Sequence, residues 1–361
     1  MNYSARVDKL SLELQKKNID AAILFSYSNI RYFTGVRINE AIDTILIISN
    51  EGEVTYLVPV LDYTRITNTC WIDNVITFPE DNPNYLTPLG EIFGDKKINT
   101  VGIEKDTITF HKMNFLNEIL QARLVPIDDL LIGIRAVKTD DEIAIIREAA
   151  RIADKAMQAS LGLLREGITE AEISSYASYI MKKEGAEGDS FEPFVMSGKN
   201  AWLPQRFSSN KKINIGEMII FDMGAKYEGY CSDLTRTFSL GGLNKEQKEI
   251  FNIAYSAQKE AISAVKPGIR ASELDKIARD YISRHGFGKY FPHITGHGLG
   301  ISIHETPILD KDSDTILEAN MVVTVEPGIY MKDIGAARVE DMVLVTKDGY
   351  EVLTSTERML I

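Results

Sequence analysis

The segment FDMGAKYEGYCSDLTRTF (221–238) sets Asp222 and Asp233 on either side of a glycine- and tyrosine-rich turn. Read as a hairpin centred on Tyr227 and Glu228, it pairs Ala225 with Tyr230 and Asp222 with Asp233. Directly opposed Cβ atoms in an antiparallel pair lie about 4.5–5.5 Å apart, where like charges repel. Such a pair calls for a cation between the carboxylates, or a proton on one of them.

Three later segments carry matching chemistry. FPHITGHGLGISIHETP (291–307) holds His293, His297 and His304, three of the chain's five histidines. VVTVEPGIY (322–330) ends an apolar strand in Glu326, and AARVEDMVLVT (336–346) buries Glu340 in another, beside Arg338. Carboxylates embedded in apolar strands are costly unless paired or metal-bound. GHGLG fits neither GxGxxG nor the Lys-bearing phosphate loop, so its glycines serve close backbone approach around His297. Singly, each group reads as a turn residue, a strand end or half an ion pair. Together, four carboxylates and a histidine suit two adjacent divalent cations such as Mn²⁺ or Co²⁺, with Zn²⁺ a further candidate. Two ions about 3.5–4 Å apart can share a hydroxide and clamp a hydrolytic transition state.

The elements that must position these residues fall into two parts. In the first third, AAILFS (21–26), TILIISN (44–50), EVTYLVP (53–59), NVITF (74–78) and TVGIE (100–104) read as strands, with helices at 6–17, 60–69 and 109–121. That alternation defines an α/β domain. RLVPIDDLL reads as its last strand. The capping box Thr139–Glu142 then opens a long helix expected to end near Gly167. REGITEAEISSYASYIMKKEG (165–185) aligns without gaps to KPGIRASELDKIARDYISRHG (266–286), matching Gly167, Ile168, Glu172, Ala177 and Gly185 with Gly268, Ile269, Glu273, Ala278 and Gly286. A pseudo-symmetric domain would let one site draw ligands from both halves.

Composition narrows the field. The 361 residues are comfortable for two domains. The net charge of −12 argues against a nucleic-acid partner. Cys70 and Cys231 alone exclude a disulfide framework and fit a reducing compartment. MNYSARVDKLSLELQKKNID lacks the apolar core of a signal peptide, and no apolar run approaches the roughly 20 residues of a membrane span. The expectation is a cytoplasmic protein with no membrane partner.

In this order, DMGAKYEGYCSDLTRT, TGHGLGISIHETP, VEPGIY and RVED resemble the metal-dependent aminopeptidase P and prolidase family, over nearly the whole chain. The resemblance implies a creatinase-like N-terminal α/β domain (1–134) and an α+β pseudo-symmetric "pita-bread" catalytic domain (135–361). It implies a homodimer, whose N-terminal domain helps wall off the partner's site, acting on proline-containing di- or oligopeptides. Two metal ions per subunit would be held by Asp222 on one, His297 and Glu326 on the other, and Asp233 and Glu340 bridging both. A hydroxide between the ions would attack the peptide bond before proline, with Glu326 carrying the proton. His304 would stabilise the oxyanion and contact substrate, His293 would be a second catalytic pocket histidine, and Tyr330 and Arg338 would orient the ligand carboxylates.

Two positions depart from the family pattern. Leu203-Pro204-Gln205 stands where the family usually reads Leu-Pro-His, and Ile308 stands where many dipeptide-specific members have Arg. Gln205 would then meet the substrate in place of histidine, and Arg206 could take over recognition of a substrate carboxylate. The same departures support an alternative, a relative hydrolysing a non-peptide amide or small osmolyte. A catalytically dead binding module is a third possibility, opposed by the presence of all five metal-ligand residues.

Overall fold

The computed structural model describes residues 1–80, 85–94, 98–203 and 206–358. The chain divides into two units, Met1–Arg135 and Ala136–Ile361.

The first unit alternates α1 (Tyr3–Lys16), β1 (Ala21–Leu24), α2 (Tyr27–Thr34), β2 (Ile45–Ser49), β3 (Val54–Pro59), α3 (Tyr63–Thr69), β4 (Val75–Phe78), α4 (Pro88–Gly94), β5 (Thr100–Ile103), α5 (Phe110–Ile119), β6 (Arg123–Pro126) and α6 (Asp128–Ala136). Its sheet runs β4-β3-β2-β1-β5-β6. Ile23, Ile47, Leu57 and Val101 from these strands bury together with Leu116 of α5. Three helices escape the sequence pattern. α2 follows β1 so closely that it reads as loop, yet the Ser26 side chain caps it by accepting from the Asn29 amide. α4 also lay outside the expected set. RLVPIDDLL is not one strand: it splits into β6 and α6, with Asp128 and Asp129 in the first helical turn, where the helix dipole favours acids.

The second unit opens with α7 (Asp140–Leu161), capped by the Thr139–Glu142 box and ending at Gly162, earlier than expected. α8 (Glu170–Lys183), β7 (Gly188–Asp189), β8 (Phe194–Ser197), α9 (Lys199–Trp202), β9 (Met218–Met223), β10 (Ala225–Tyr227), β11 (Tyr230–Cys231) and β12 (Leu234–Ser239) complete its first half. The second half comprises α10 (Lys245–Ser263), α11 (Ala271–Arg284), β13 (Gly296–Gly298), β14 (Glu305–Leu309), β15 (Val322–Val325), β16 (Gly328–Met331), β17 (Gly335–Arg338), β18 (Asp341–Val345) and β19 (Tyr350–Val352).

The internal repeat is a structural fact. One sheet runs β12-β9-β8, and the other holds β18-β15-β13 in the corresponding order. Before each second helix the same backbone tie recurs: Gly167 N donates to Ile213 O at 2.9 Å, and Gly268 N to Leu317 O at 2.8 Å. The register matches as well. Ser197 pairs with Ile219 as Gly298 pairs with Val323.

Two local expectations need correction. Tyr227 pairs with Tyr230, and Asp222 pairs with Thr235 rather than Asp233. The turn is centred on Glu228 and Gly229, whose φ values of 46° and 88° are both positive. Two-residue hairpin turns of this hand match the strands' twist and favour glycine at such positions. The ladder then breaks at Gly224, where an added Cβ would lie 1.9 Å from the Ser232 carbonyl oxygen. Glu340, for its part, does not sit inside a strand. It occupies the break between β17 and β18, its amide donating to Thr235 O at 3.1 Å.

Candidate metal centre

Strand ends from both halves deliver the polar groups to one place. Asp222 comes from the end of β9, Asp233 from just before β12, Glu326 from just after β15, and Glu340 from just before β18. His297 is the middle residue of β13. Its flanking glycines are needed for close approach: a Cβ on Gly296 would lie 2.0 Å from Thr324 O, and one on Gly298 2.4 Å from Thr306 O.

These five residues line a cleft of about 560 Å³ together with Arg206, His293, His304, Tyr330 and Arg338. Ligand atoms of Asp233, His297 and Glu340 all lie within 4.8 Å of one another. His297 Nε2 is 3.3 Å from Glu326 Oε1 and 3.6 Å from Asp233 Oδ2. His297 Nδ1 meets Gly298 O at 3.0 Å, so Nδ1 carries the proton there and Nε2 faces the carboxylates.

Neighbouring groups orient the carboxylates. Thr235 Oγ1 donates to Glu340 at 2.7 Å, and Thr324 Oγ1 to Glu326 at 3.1 Å. Arg338 donates to Asp222 through Nη2 and to Tyr330 OH through Nη1 at 2.6 Å. The Tyr330 hydroxyl lies 3.1 Å from His293 Nε2, while His293 Nδ1 meets Ile294 O at 2.8 Å. With Nδ1 donating to the carbonyl, His293 Nε2 accepts the tyrosine proton. The two threonines were missed in the sequence; Thr324 stands as the lone hydroxyl in the apolar run VVTVE, whereas Thr235 carries no such signal, sharing TRTF with Arg236 and Thr237.

Electrostatics report crowding. Burial raises the Asp233 carboxyl well above its usual value, and Glu340, Asp222 and Glu326 push it further. Glu340 is raised by burial and then by Glu326 and Asp222. Asp222 is raised by burial against the pull of Arg338. Burial would raise Glu326 too, but the His297 hydrogen bond and charge hold it down at about 2. Burial would lower His297, yet Glu326 raises it. Burial pushes His293 down to about 4, and burial with the nearby His297 lowers His304.

Divalent cations fit this donor set. Asp222 Oδ1 and Glu340 Oε1 are buried without a hydrogen-bond partner. Buried polar atoms of that kind call for an ion or water. Oxygen and imidazole donors suit hard-to-borderline metals.

The remaining expected residues are placed as follows. His304 is exposed at the cleft, its ring centroid 4.4 Å from that of His297. Arg206 lines the cleft. Gln205 lies outside the described residues. Ile308 pairs across the strands with His297. Phe191, Phe194, Pro292, Ile294 and Ile303 form an apolar lining that the sequence did not reveal, because no periodicity links them.

Fold and site together define a metallopeptidase. Residues 144–347 match the model of Metallopeptidase family M24, and residues 6–137 match the Creatinase/Prolidase N-terminal domain. The chain belongs to the M24 family. Among its relatives, the Xaa-Pro dipeptidase of Pyrococcus furiosus is 38% identical over 99% of each chain. The crystal structure of the prolidase from Pyrococcus horikoshii superposes with a TM-score of 0.91 at 36% identity, covering 99% of this chain and 100% of that one. The Xaa-Pro dipeptidase from Bacillus anthracis gives 0.93 at 34% identity, covering 100% and 99%. Among the described residues no helix is long and apolar enough to cross a membrane.

Proposed function

We propose that the chain hydrolyses the peptide bond before proline, with dipeptides as its main substrates, using two divalent ions. The convergence of Asp233, His297 and Glu340 beside buried, unpartnered carboxylate oxygens supports this most directly. Asp222, Asp233, His297, Glu326 and Glu340 would hold the ions, with Asp233 and Glu340 shared between them. Mn²⁺ or Co²⁺ suits these donors best. Bound there, the ions supply Lewis acidity and lower the pKa of the attacking water.

The chain's own residues do the rest. Glu326 takes the proton from the attacking water and returns it to the departing proline nitrogen. Its low pKa in the metal-free protein comes from pairing with His297, a partner that metal ligation would take away. His304 stays neutral near pH 7 and donates one N–H to the oxygen of the scissile carbonyl as charge develops there. His293 is held by Ile294 and Tyr330 and walls the same cleft. The apolar lining from Phe191, Phe194 and Pro292 can receive a proline ring. Arg206, which lines the cleft, would meet the peptide's terminal carboxylate, with Gln205 as its neighbour in sequence.

Hydrolysis of Ala-Pro, Ala-Ala and longer Xaa-Pro peptides by Mn²⁺-loaded protein tests this. Ala-Pro should be cleaved fastest. Equal cleavage of Ala-Ala removes the proline requirement, and a preference for long peptides makes the chain an aminopeptidase.

A further inference from the structure

Glu170 lies in the first turn of α8 and is fully buried, yet it belongs to none of the ligand groups. Its Oε1 accepts from Ser197 N at 2.7 Å and Ser197 Oγ at 2.8 Å. Its Oε2 accepts from Asn200 Nδ2 at 2.8 Å, Ser209 Oγ at 2.7 Å and Ser209 N at 3.2 Å. Burying an ionised carboxylate is tolerable only with such a full set of donors. Lys211, itself ion-paired with Glu217 at 2.7 Å, donates from Nζ to Ser197 Oγ at 2.8 Å.

The donors have a common address. Ser197 ends β8, whose residue Phe194 pairs with Asp222, and Ser209 lies where the chain returns. Glu170 thus pins both ends of the excursion that carries Arg206 into the cleft. Between those ends Arg206 has φ 56°, and its amide donates to Met196 Sδ at 3.3 Å. Among the described residues no carboxylate pairs with the exposed Arg206 guanidinium, so its own side chain does little to place it. At the aligned position of the second half stands Ala271. The buried acid of α11, Asp275, lies further along its helix and holds Thr295 and Arg279 instead, so a carboxylate at this position belongs to the half with the arginine-bearing excursion.

We propose that Glu170 is a positioning residue for substrate recognition. By holding Ser197, Asn200 and Ser209 it sets where Arg206 presents its guanidinium to the free carboxylate of a bound dipeptide. This rests on the Xaa-Pro dipeptidase function proposed above. Glutamine at position 170 would turn a donor toward groups that themselves donate, loosening both ends of the excursion while leaving the five metal-ligand residues in place.

The test compares kcat and KM for Ala-Pro and for its C-terminal amide in Mn²⁺-loaded wild type, Glu170→Gln, Arg206→Ala and the double variant. Bound manganese and the binding of Ala-Pro to the metal-free protein are measured in parallel. Glu170→Gln should raise KM for the free acid about tenfold, as loss of a charged hydrogen bond does, with kcat within about twofold. The amide should barely respond, manganese should stay bound, and the double variant should be no worse than Arg206→Ala. Equal damage to acid and amide, or multiplicative losses in the double variant, overturns the proposal. If Glu170→Gln does not fold, Ser209→Ala must show the same acid-selective KM rise at smaller size, and its absence is equally fatal. A wild type that cleaves neither substrate overturns the dipeptidase function and this proposal with it. A wild type that cleaves Ala-Pro, with variants that damage acid and amide equally, overturns this proposal alone.

Discussion

The two halves of the second unit use one backbone plan for unequal chemistry. By register, Asp222 of the first half corresponds to Glu326 of the second, Met196 to His297, Thr235 to Glu340, and Arg236 to Asp341. Where the counterparts are both acids, both face the cleft. Where they differ, they are often partners: Thr235 donates to Glu340, and Arg236 Nη2 donates to Asp341 at 2.8 Å. The histidine exists in one half only, and so does Glu170. A repeated frame can therefore bring four carboxylates together, while the departures from the repeat supply what a symmetric site would lack: an imidazole on one side and an arginine-bearing excursion on the other.

The largest effect should follow from breaking the two ligands proposed to be shared. Asp233→Ala or Glu340→Ala should abolish turnover and weaken metal binding by more than the roughly 10–100-fold typical of groups that only orient ligands. Near wild-type kcat with either variant would remove that residue from the centre. Next comes the counterpart ion pair. Asp341 accepts from Arg236, Arg358, Gln258 and Thr354, and is itself fully buried. Its pKa is lowered, with the charges of Arg236 and Arg358 outweighing burial. Asp341→Ala strands a buried guanidinium and should cost about 3–5 kcal/mol in urea unfolding of metal-loaded protein. A loss below about 1 kcal/mol would show that the two halves are not joined there.

Metal removal should reverse the pH response. A carboxylate raised on folding binds its proton more tightly in the native state, so its stability contribution is largest at low pH and falls as pH rises toward the folded value. Asp222, Asp233 and Glu340 are all raised, and His297, also raised, acts in the same direction. His293, at about 4, opposes them only below its unfolded value near 6.5. The melting temperature of chelated protein should therefore fall as pH rises above about 6.5, and excess Mn²⁺ should restore more at the higher pH. A flat profile that metal leaves unchanged would contradict the crowding.

Much of this was legible in residue types, less in geometry. The five metal-ligand candidates and the repeat could be seen because carboxylates and histidine stand out in apolar strands. The hairpin register could not, since it turned on whether Glu228 adopts positive φ beside Gly229. Glu170 was invisible for another reason: a Glu just after a helix cap is ordinary, and its five donors come from segments distant in sequence.

The smallest effect separates the second helix of each half. Thr169 caps α8 in a reciprocal box with Glu172, whereas Arg270 gives α11 no side-chain cap. Thr169→Ala should cost about 1 kcal/mol, and Arg270→Ser should gain a few tenths up to about 1 kcal/mol, both read from denaturant midpoints. Equal and opposite neutrality would show that tertiary packing alone sets both ends.

Elemental analysis of protein saturated with Mn²⁺ and then dialysed tests the shared centre most directly. Wild type should retain about two ions per chain, and Asp233→Ala and Glu340→Ala should each retain markedly fewer. No bound metal in the wild type, or full retention in both variants, would contradict a centre assembled from the two halves.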